Sequence, residues 1–206
     1  MGDIPSQSLG TMKVQIEKVF AMPASADLSW KFLQDIAAVA ACMPGARITE
    51  RLDDTHYKGT VTVKVGPATM SFRGDIEVRE LSVATRTLRL IGKGSDTTGT
   101  SGASIDLTAR VEAAEGGLSN LVGKSDASVS GKAAAFGGRM MTSVADQVLK
   151  QFAANFAAQV ALLKAAQTGA APVASPPPAQ HELNGLALFW AILKDWIRGL
   201  FSKQQG

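Results

Sequence analysis

Cysteine, histidine and tyrosine are nearly absent from this chain. The single cysteine, Cys42, excludes an internal disulfide and any multi-cysteine metal site, and it is compatible with a reducing compartment. The two histidines, His56 and His181, leave little material for general acid–base chemistry. Charge is close to balanced, with 21 basic and 18 acidic residues. No basic run interleaves with aromatics, which argues against nucleic acid as a partner. The unbroken apolar run Leu186–Leu193 is too short for a bilayer span, which needs about 20 residues.

What the chain does have is hydrophobic periodicity. From Lys132 to Lys164 no proline interrupts, and large apolar residues recur at Phe136, Met140, Val144, Val148, Phe152, Phe156, Val160 and Leu163. A spacing of four, closing to three, draws one apolar stripe along a helix. Such a helix must lie on something, and the strands before it are the candidate.

Lys13–Met22 reads as a strand with Val14, Ile16 and Phe20 on one face. Pro23 ends it. Ser25 or Asp27 caps a short helix through Trp30, Phe32 and Leu33, and Asp35 caps a second through Ile36–Ala41. Six consecutive antiparallel strands follow between Ala46 and Gly131. Tyr57, Gly59, Val61, Val63 and Val65 share one face. Met70, Phe72, Gly74, Ile76 and Val78 face inward while Ser71, Arg73, Asp75, Glu77 and Arg79 face outward, the cleanest alternation in the chain. Leu88 and Leu90 continue the inner face. Gly92–Gly102 reads as a Gly/Ser/Thr-rich hairpin. Ala103, Ile105, Leu107, Ala109 and Val111 face inward on the next strand, and Leu118–Gly131 is the last and least regular strand.

Catalytic constellations are hard to assemble. His56 and His181 have no obvious triad partner and read as solvated residues. Cys42 reads as a small buried hydrophobe beside a turn. Asp75 and Glu77 point outward, so no paired-carboxylate site is supported. Gly92-Lys93-Gly94-Ser95 lacks the spacing of a phosphate loop and precedes a strand. Lys18 shares parity with Val14 and Phe20 and reads as snorkelling at a sheet edge. No catalytic residue and no metal site is expected. The inner face is lean: Gly59, Gly74, Ala103 and Ala109 alternate with Val, Met and Phe, and small residues opposite a long helix leave volume. A tightly packed core is the alternative. Tyr57 can offer a phenol to a ligand carbonyl, or serve as a core tyrosine. Gly137-Gly138 weakens the start of the helix, by about 1 kcal/mol per glycine relative to alanine.

The ends read differently. Met1–Thr11 is polar and reads as a flexible arm, with Met12 a candidate natural start and no signal peptide visible. Residues 12–165 form the expected domain and 166–181 a Pro/Ala linker. Residues 182–203 form an amphipathic helix. Leu186, Phe189, Trp190, Leu193, Trp196, Ile197, Leu200 and Phe201 lie on its apolar side and Lys194, Asp195 and Arg198 on the other. Two tryptophans and flanking cations suit a membrane interface; docking on a protein surface is the alternative.

One strand, two short helices, six strands and a long helix is the order of the helix-grip fold. The Asp35…Cys42-Met43-Pro44-Gly45 turn, the strand Tyr57–Pro67, Phe72-Arg73-Gly74, and Gly131-Lys132 leading into Phe136-Gly137-Gly138-Arg139 resemble the family of the carbon monoxide dehydrogenase G-subunit, as do Phe152 and Phe156. The usual turn carries Ile where Met43 stands. The resemblance runs from about Met12 to Lys164 and implies a START/Bet v 1-like fold of the SRPBCC superfamily: an α+β domain with a seven-stranded antiparallel sheet wrapped on the C-terminal helix. It also implies a non-enzymatic accessory of a molybdenum CO dehydrogenase complex in bacteria, linked to membrane recruitment, that handles a hydrophobic small molecule. An isoprenoid quinone, menaquinone or ubiquinone, is the expected carried ligand. An adaptor that recruits the enzyme without a ligand is the alternative. The expected cavity lining is Tyr57, Val61, Val63, Val65, Met70, Phe72, Ile105, Leu107, Phe136, Met140, Met141 and Val144. The expected location is peripheral, on the inner face of the cytoplasmic membrane.

Overall fold

A computed structural model describes residues 10–167. The expectations for the N-terminal arm, most of the linker and the amphipathic segment fall outside them. Among the described residues no helix is long and apolar enough to cross a membrane.

Strand β1 (Met12–Met22) leads into α1 (Ala26–Leu33) and α2 (Ile36–Cys42). Both caps form as the sequence predicts. Ser25 Oγ accepts from the Leu28 amide at 3.4 Å, and Asp35 Oδ1 accepts from the Ala38 amide at 3.0 Å, each satisfying an otherwise orphaned N–H. Then come β2 (Ala46–Arg51), β3 (His56–Val65), β4 (Ala68–Ser82), β5 (Thr87–Asp96), β6 (Ser101–Ala114), β7 (Leu118–Gly131) and α3 (Gly138–Gln167). The strands make one antiparallel sheet of seven in the order β1-β7-β6-β5-β4-β3-β2. The first strand thus closes beside the last, leaving β1 and β2 as edges. This sheet, gripping a long C-terminal helix, is the helix-grip fold.

Four sequence expectations change. The long helix begins at Gly138, not Lys132: residues Lys132–Phe136 form a 3-10 turn, and Gly137 breaks the run at φ 78°. Gly131 has φ 74°, and a Cβ there would meet Thr100 O at 2.1 Å, so the chain turns sharply where only glycine fits. The hairpin expected over Gly92–Gly102 is mostly strand, with its tip at residues 97–100. β7 is not irregular: it pairs without a register shift to both neighbours, and the shifts lie at Ile48/Glu50 and Val78/Glu80. The helix also runs to Gln167, two residues past the expected domain limit.

The core gathers at one end. Trp30, Phe32 and Leu33 of α1 and Cys42 of α2 pack with Leu88, Val111 and Leu121 of the sheet and with Phe156 and Val160 of α3. Phe32 and Phe156 meet edge to face at 4.8 Å. Asn155 Nδ2 donates to the Cys42 carbonyl at 2.9 Å, and Lys164 Nζ to the Pro23 carbonyl at 3.1 Å. The C-terminal half of α3 is therefore held by packing and by hydrogen bonds.

Candidate functional site

The other half of α3 is held differently. Phe156 and Val160 are 0 % exposed, whereas no residue from Gly138 to Gln151 is buried. Facing this half, Val61 and Val63 of β3, Met70 and Phe72 of β4, Ile105 and Leu107 of β6, and Phe136, Met141 and Val144 are all half-buried. Met140 is 39 % exposed. Met140 aside, these side chains are neither buried nor freely exposed, and they are the walls of the candidate cleft. Two methionines touch its rims: Met12 Sδ lies 3.8 Å from the Cβ position of Gly138, and Met140 Cε 3.5 Å from that of Gly66.

Two of the expected lining residues are buried rather than half-open. Tyr57 is buried in the core cluster, and its hydroxyl donates to the Asp54 carbonyl at 3.1 Å, so its donor is already engaged. Val65 is fully buried at the end of β3. Ala109, expected on the lean inner face, is likewise in the core cluster.

The floor of the cleft is leaner than the sequence pattern conveys. Gly59 pairs with Gly74, Gly74 with Gly94, Gly94 with Ala103, Ala103 with Val129, and Val129 with Met12. A row of glycine and alanine thus crosses four strands. Gly94 lies inside the stretch expected as a hairpin. Ala127 and Val129 of β7 escape a periodicity search because Gly123 and Ser125 precede them on the same face and leave the apolar alternation too short to stand out. The glycines also serve the fold. A Cβ at Gly74 would sit 2.1 Å from Lys93 O, and one at Gly94 would sit 2.6 Å from Arg73 O. Neighbouring backbones approach this closely where the sheet bends around the helix.

Two shallow depressions also mark the surface, and neither lies between α3 and the sheet's inner face. One, of about 570 Å³, is lined by Lys13, Val14, Gln15, Asp126, Ala127 and Ser128 along the β1–β7 pair. The other, of about 350 Å³, lies over β2, β3 and β4 and includes Thr49, Lys58, Gly59, Thr60 and Arg73.

Charged side chains share the inward parity of the sheet at Lys18 and at Asp96, which lies opposite Phe72 and is bonded into its own hairpin. Lys18 does not merely snorkel: its Nζ pairs with Asp146 Oδ1 of α3 at 2.9 Å. His56 is not partnerless either. Its Nδ1 lies 2.9 Å from Asp53 Oδ2 and 3.0 Å from Thr55 Oγ1. All three sit in one exposed turn, with Thr55 and Asp53 on the same ring nitrogen, so no relay from nucleophile to base to acid is formed. The Thr55 amide, the His56 ring and the other groups of this turn hold the Asp53 carboxyl far below its ordinary value. Cys42 is buried, its Sγ 3.5 Å from the Ala38 carbonyl, and burial raises its thiol pKa. Among the described residues no cluster of three or more His, Cys, Asp or Glu is arranged to hold a metal.

Solved structures share this architecture. A conserved protein from Geobacillus kaustophilus is 19 % identical, with a TM-score of 0.65 over 72 % of this chain and 96 % of its own. The Zhui aromatase/cyclase from Streptomyces sp. R1128 is 15 % identical, with a TM-score of 0.53 over 72 % and 94 %. A START superfamily protein from Mycobacterium smegmatis is 17 % identical, with a TM-score of 0.52 over 72 % and 98 %. At such identities the likeness is one of fold. No curated relative matches the chain. The sequence itself is decisive at the family level: residues 19–161 match the family model of the carbon monoxide dehydrogenase G-subunit (CoxG), and the chain belongs to that family.

Proposed function

We propose that this chain is a non-enzymatic accessory protein of a molybdenum CO dehydrogenase that takes an isoprenoid quinone, or a similar lipid, into the cleft under the N-terminal half of α3. One observation carries the reading. The same helix is sealed at Phe156 and Val160 and unsealed from Gly138 to Gln151, over a floor of Gly59, Gly74, Gly94 and Ala103. A domain that needed only a core would close both halves, because each buried CH₂ contributes about 0.8 kcal/mol. A flat apolar ligand supplies the missing contacts. Met70, Met140 and Met141 can adapt to its shape.

The fold alone does not decide against catalysis, since one similar structure is an aromatase/cyclase. The non-enzymatic reading is supported by the lining itself, whose half-buried side chains on β3, β4 and α3 are apolar, and by the engagement of the Tyr57 hydroxyl with Asp54. Residues 182–203, read from their sequence as an amphipathic membrane-binding helix, would keep the carrier peripheral on the inner face of the cytoplasmic membrane while it serves the enzyme.

The full chain, purified without added lipid, is analysed by native mass spectrometry before and after incubation with menaquinone or ubiquinone in detergent. A stoichiometric mass gain of one quinone is expected. No copurifying lipid and no gain from either quinone would end the carrier reading. The adaptor reading would then stand, in which this family member recruits the dehydrogenase to the membrane without a ligand. The surface depressions favour that second reading to the extent that both lie outside the α3 cleft.

A further inference from the structure

Charge is distributed unevenly along this domain. On the cleft reading, the end formed by the β3–β4 turn, the β5–β6 hairpin tip and residues 131–137 is the mouth, where Met140 reaches Gly66 while Val65, Ser101 and Ala133 are buried. Lys13, Lys64, Lys132 and Arg139 surround that end, all exposed, and none has an ion-pair partner among the described residues. Arg73 and Lys93 stand behind them on the outer face, equally unpaired. The acid of this end, Asp96, is spent on its own hairpin: it accepts from the Ser101 amide at 2.7 Å and from the Thr98 and Thr100 hydroxyls. Asp126, further along β7, accepts from Gln15 Nε2 at 2.7 Å.

The opposite end is built the other way. Arg51 pairs with Asp54, Arg86 with Asp27 and Arg110 with Glu112, so three cations there are neutralised locally, while Lys31 of α1 stays unpaired among the described residues. Glu80 and Glu115 stay exposed there. Unpaired positive charge is therefore denser at the cleft end, although Lys31, Arg47 and Lys150 are also unpaired elsewhere on the domain. The same end carries exposed Met140 beside half-buried Phe136 and Met141.

Cations set around an apolar rim match an anionic bilayer on both counts. The headgroups attract lysine and arginine, by about five-fold in partition for each one near the surface, and the acyl boundary accepts the methionine. An acidic protein face would satisfy the cations, but it gives no reason for the apolar rim to sit among them. We propose that this basic rim is a docking surface for anionic lipid headgroups, holding the cleft mouth down on the bilayer. The proposal rests on the cleft being a ligand site for its purpose, since a mouth set against lipid lets an apolar molecule enter without crossing water. The rim lies at the far end of the domain from the last turn of α3, so it is a surface in its own right.

The test uses the full chain without quinone, floated with vesicles of phosphatidylcholine alone or of phosphatidylcholine mixed with phosphatidylglycerol. The variant K64E/K132E reverses two rim charges. The variant K31E/K150E reverses two equally unpaired cations on α1 and on the middle of α3. On anionic vesicles the rim variant should lose more than about ten-fold in partition and the control less than about three-fold. On neutral vesicles the two should match wild type. Equal losses in both variants, or no loss in the rim variant, would overturn the proposal. So would a rim variant that floats normally but no longer binds the dehydrogenase, which would make the rim a protein-binding face. K64Q/K132Q replaces the reversal variant if that one fails to fold, with at least about a five-fold loss expected. Quinone uptake from detergent micelles is measured in parallel. Its failure in the wild type removes the cleft reading and leaves the vesicle result intact.

Discussion

Lys18 Nζ lies 2.9 Å from Asp146 Oδ1, joining edge strand β1 to the unsealed half of α3. Lys18 is on the inner face of β1, opposite Gly123, whose missing side chain leaves open space beside it. Both charges are about half exposed, so the pair contributes at most about 1 kcal/mol. Its consequence is local. Asp146→Asn should raise amide hydrogen exchange across residues 138–148 by about two- to five-fold and leave residues 156–163 unchanged. Hydrogen-exchange mass spectrometry reads both segments at once. Uniform acceleration along α3 would mean that the helix moves as one body.

The two halves of α3 should also differ under truncation. Phe156 is fully buried and stacks edge to face on Phe32, so Phe156→Ala should cost about 3–5 kcal/mol in urea unfolding. Val144 is only half-buried over the cleft, and Val144→Ala should cost less than about 1 kcal/mol. Similar losses at the two positions would contradict an open cleft.

Glycine in this sheet is not one kind of residue. Gly74→Ala would drive a Cβ to within 2.1 Å of Lys93 O, against backbone that cannot yield, and should cost at least about 1–3 kcal/mol. Gly123→Ala meets nothing within 4 Å and should stay within about 1 kcal/mol of wild type. Thermal unfolding of both variants separates the glycines that bend the sheet from the one that only leaves space.

These contrasts mark what the sequence can and cannot convey. Strand parity is legible because β4 alternates large apolar and charged residues, and the observed pairing of Val61 with Phe72 and Val63 with Met70 follows it. Both helix caps are legible because Ser25 and Asp35 are strong local signals. The helix start is not, because Lys132-Ala-Ala-Ala has good helix propensity, whereas the chain turns at Gly131 against Thr100 and breaks again at Gly137, at φ 78°. Of the site, the β3, β4 and α3 walls follow from periodicity. The Gly94 and β7 contributions do not, since small residues carry no hydrophobic signal. Parity alone assigns Tyr57 to the cleft, and its burial comes from the core cluster that α1, α2, the sheet and α3 form together.

Acid stability should follow the carboxylates held in the charged form. The Thr55 amide and the His56 ring depress the pKa of Asp53; the Thr98 hydroxyl and the Arg89 guanidinium do the same for Asp96 and Asp106. A group with a lowered folded pKa stabilises the fold above its unfolded value, about 3.9 for aspartate, and that contribution is lost as pH falls through the folded value. The urea midpoint should therefore decline as pH drops below about 4. Asp53→Asn should shallow that decline while leaving the behaviour near neutrality similar in slope. An unchanged acid slope in the variant would remove Asp53 from the account.

Filling the cleft is the most direct way to separate a carrier from an adaptor, and the position of the plug decides whether the test is clean. Ala109 is the wrong site: it is 8 % exposed and belongs to the packed cluster around Leu88 and Leu121, so a phenylalanine there would strain the core. Ala103 is half-buried in the small-residue row between Gly94 and Val129, opposite the unsealed half of α3. On the cleft reading, Ala103→Phe fills the proposed ligand space rather than the core. Added apolar contact should keep its stability within about 1 kcal/mol of wild type, while the lost volume should weaken quinone binding by at least about ten-fold, equivalent to about 1.4 kcal/mol. Quinone titration by tryptophan fluorescence, set beside urea unfolding of the same sample, reads both quantities. A plugged protein that stays folded and binds quinone as before would place the ligand outside the cleft. One that stays folded, loses quinone and still recruits the dehydrogenase to vesicles would show that carrying and recruitment are separable functions of one domain.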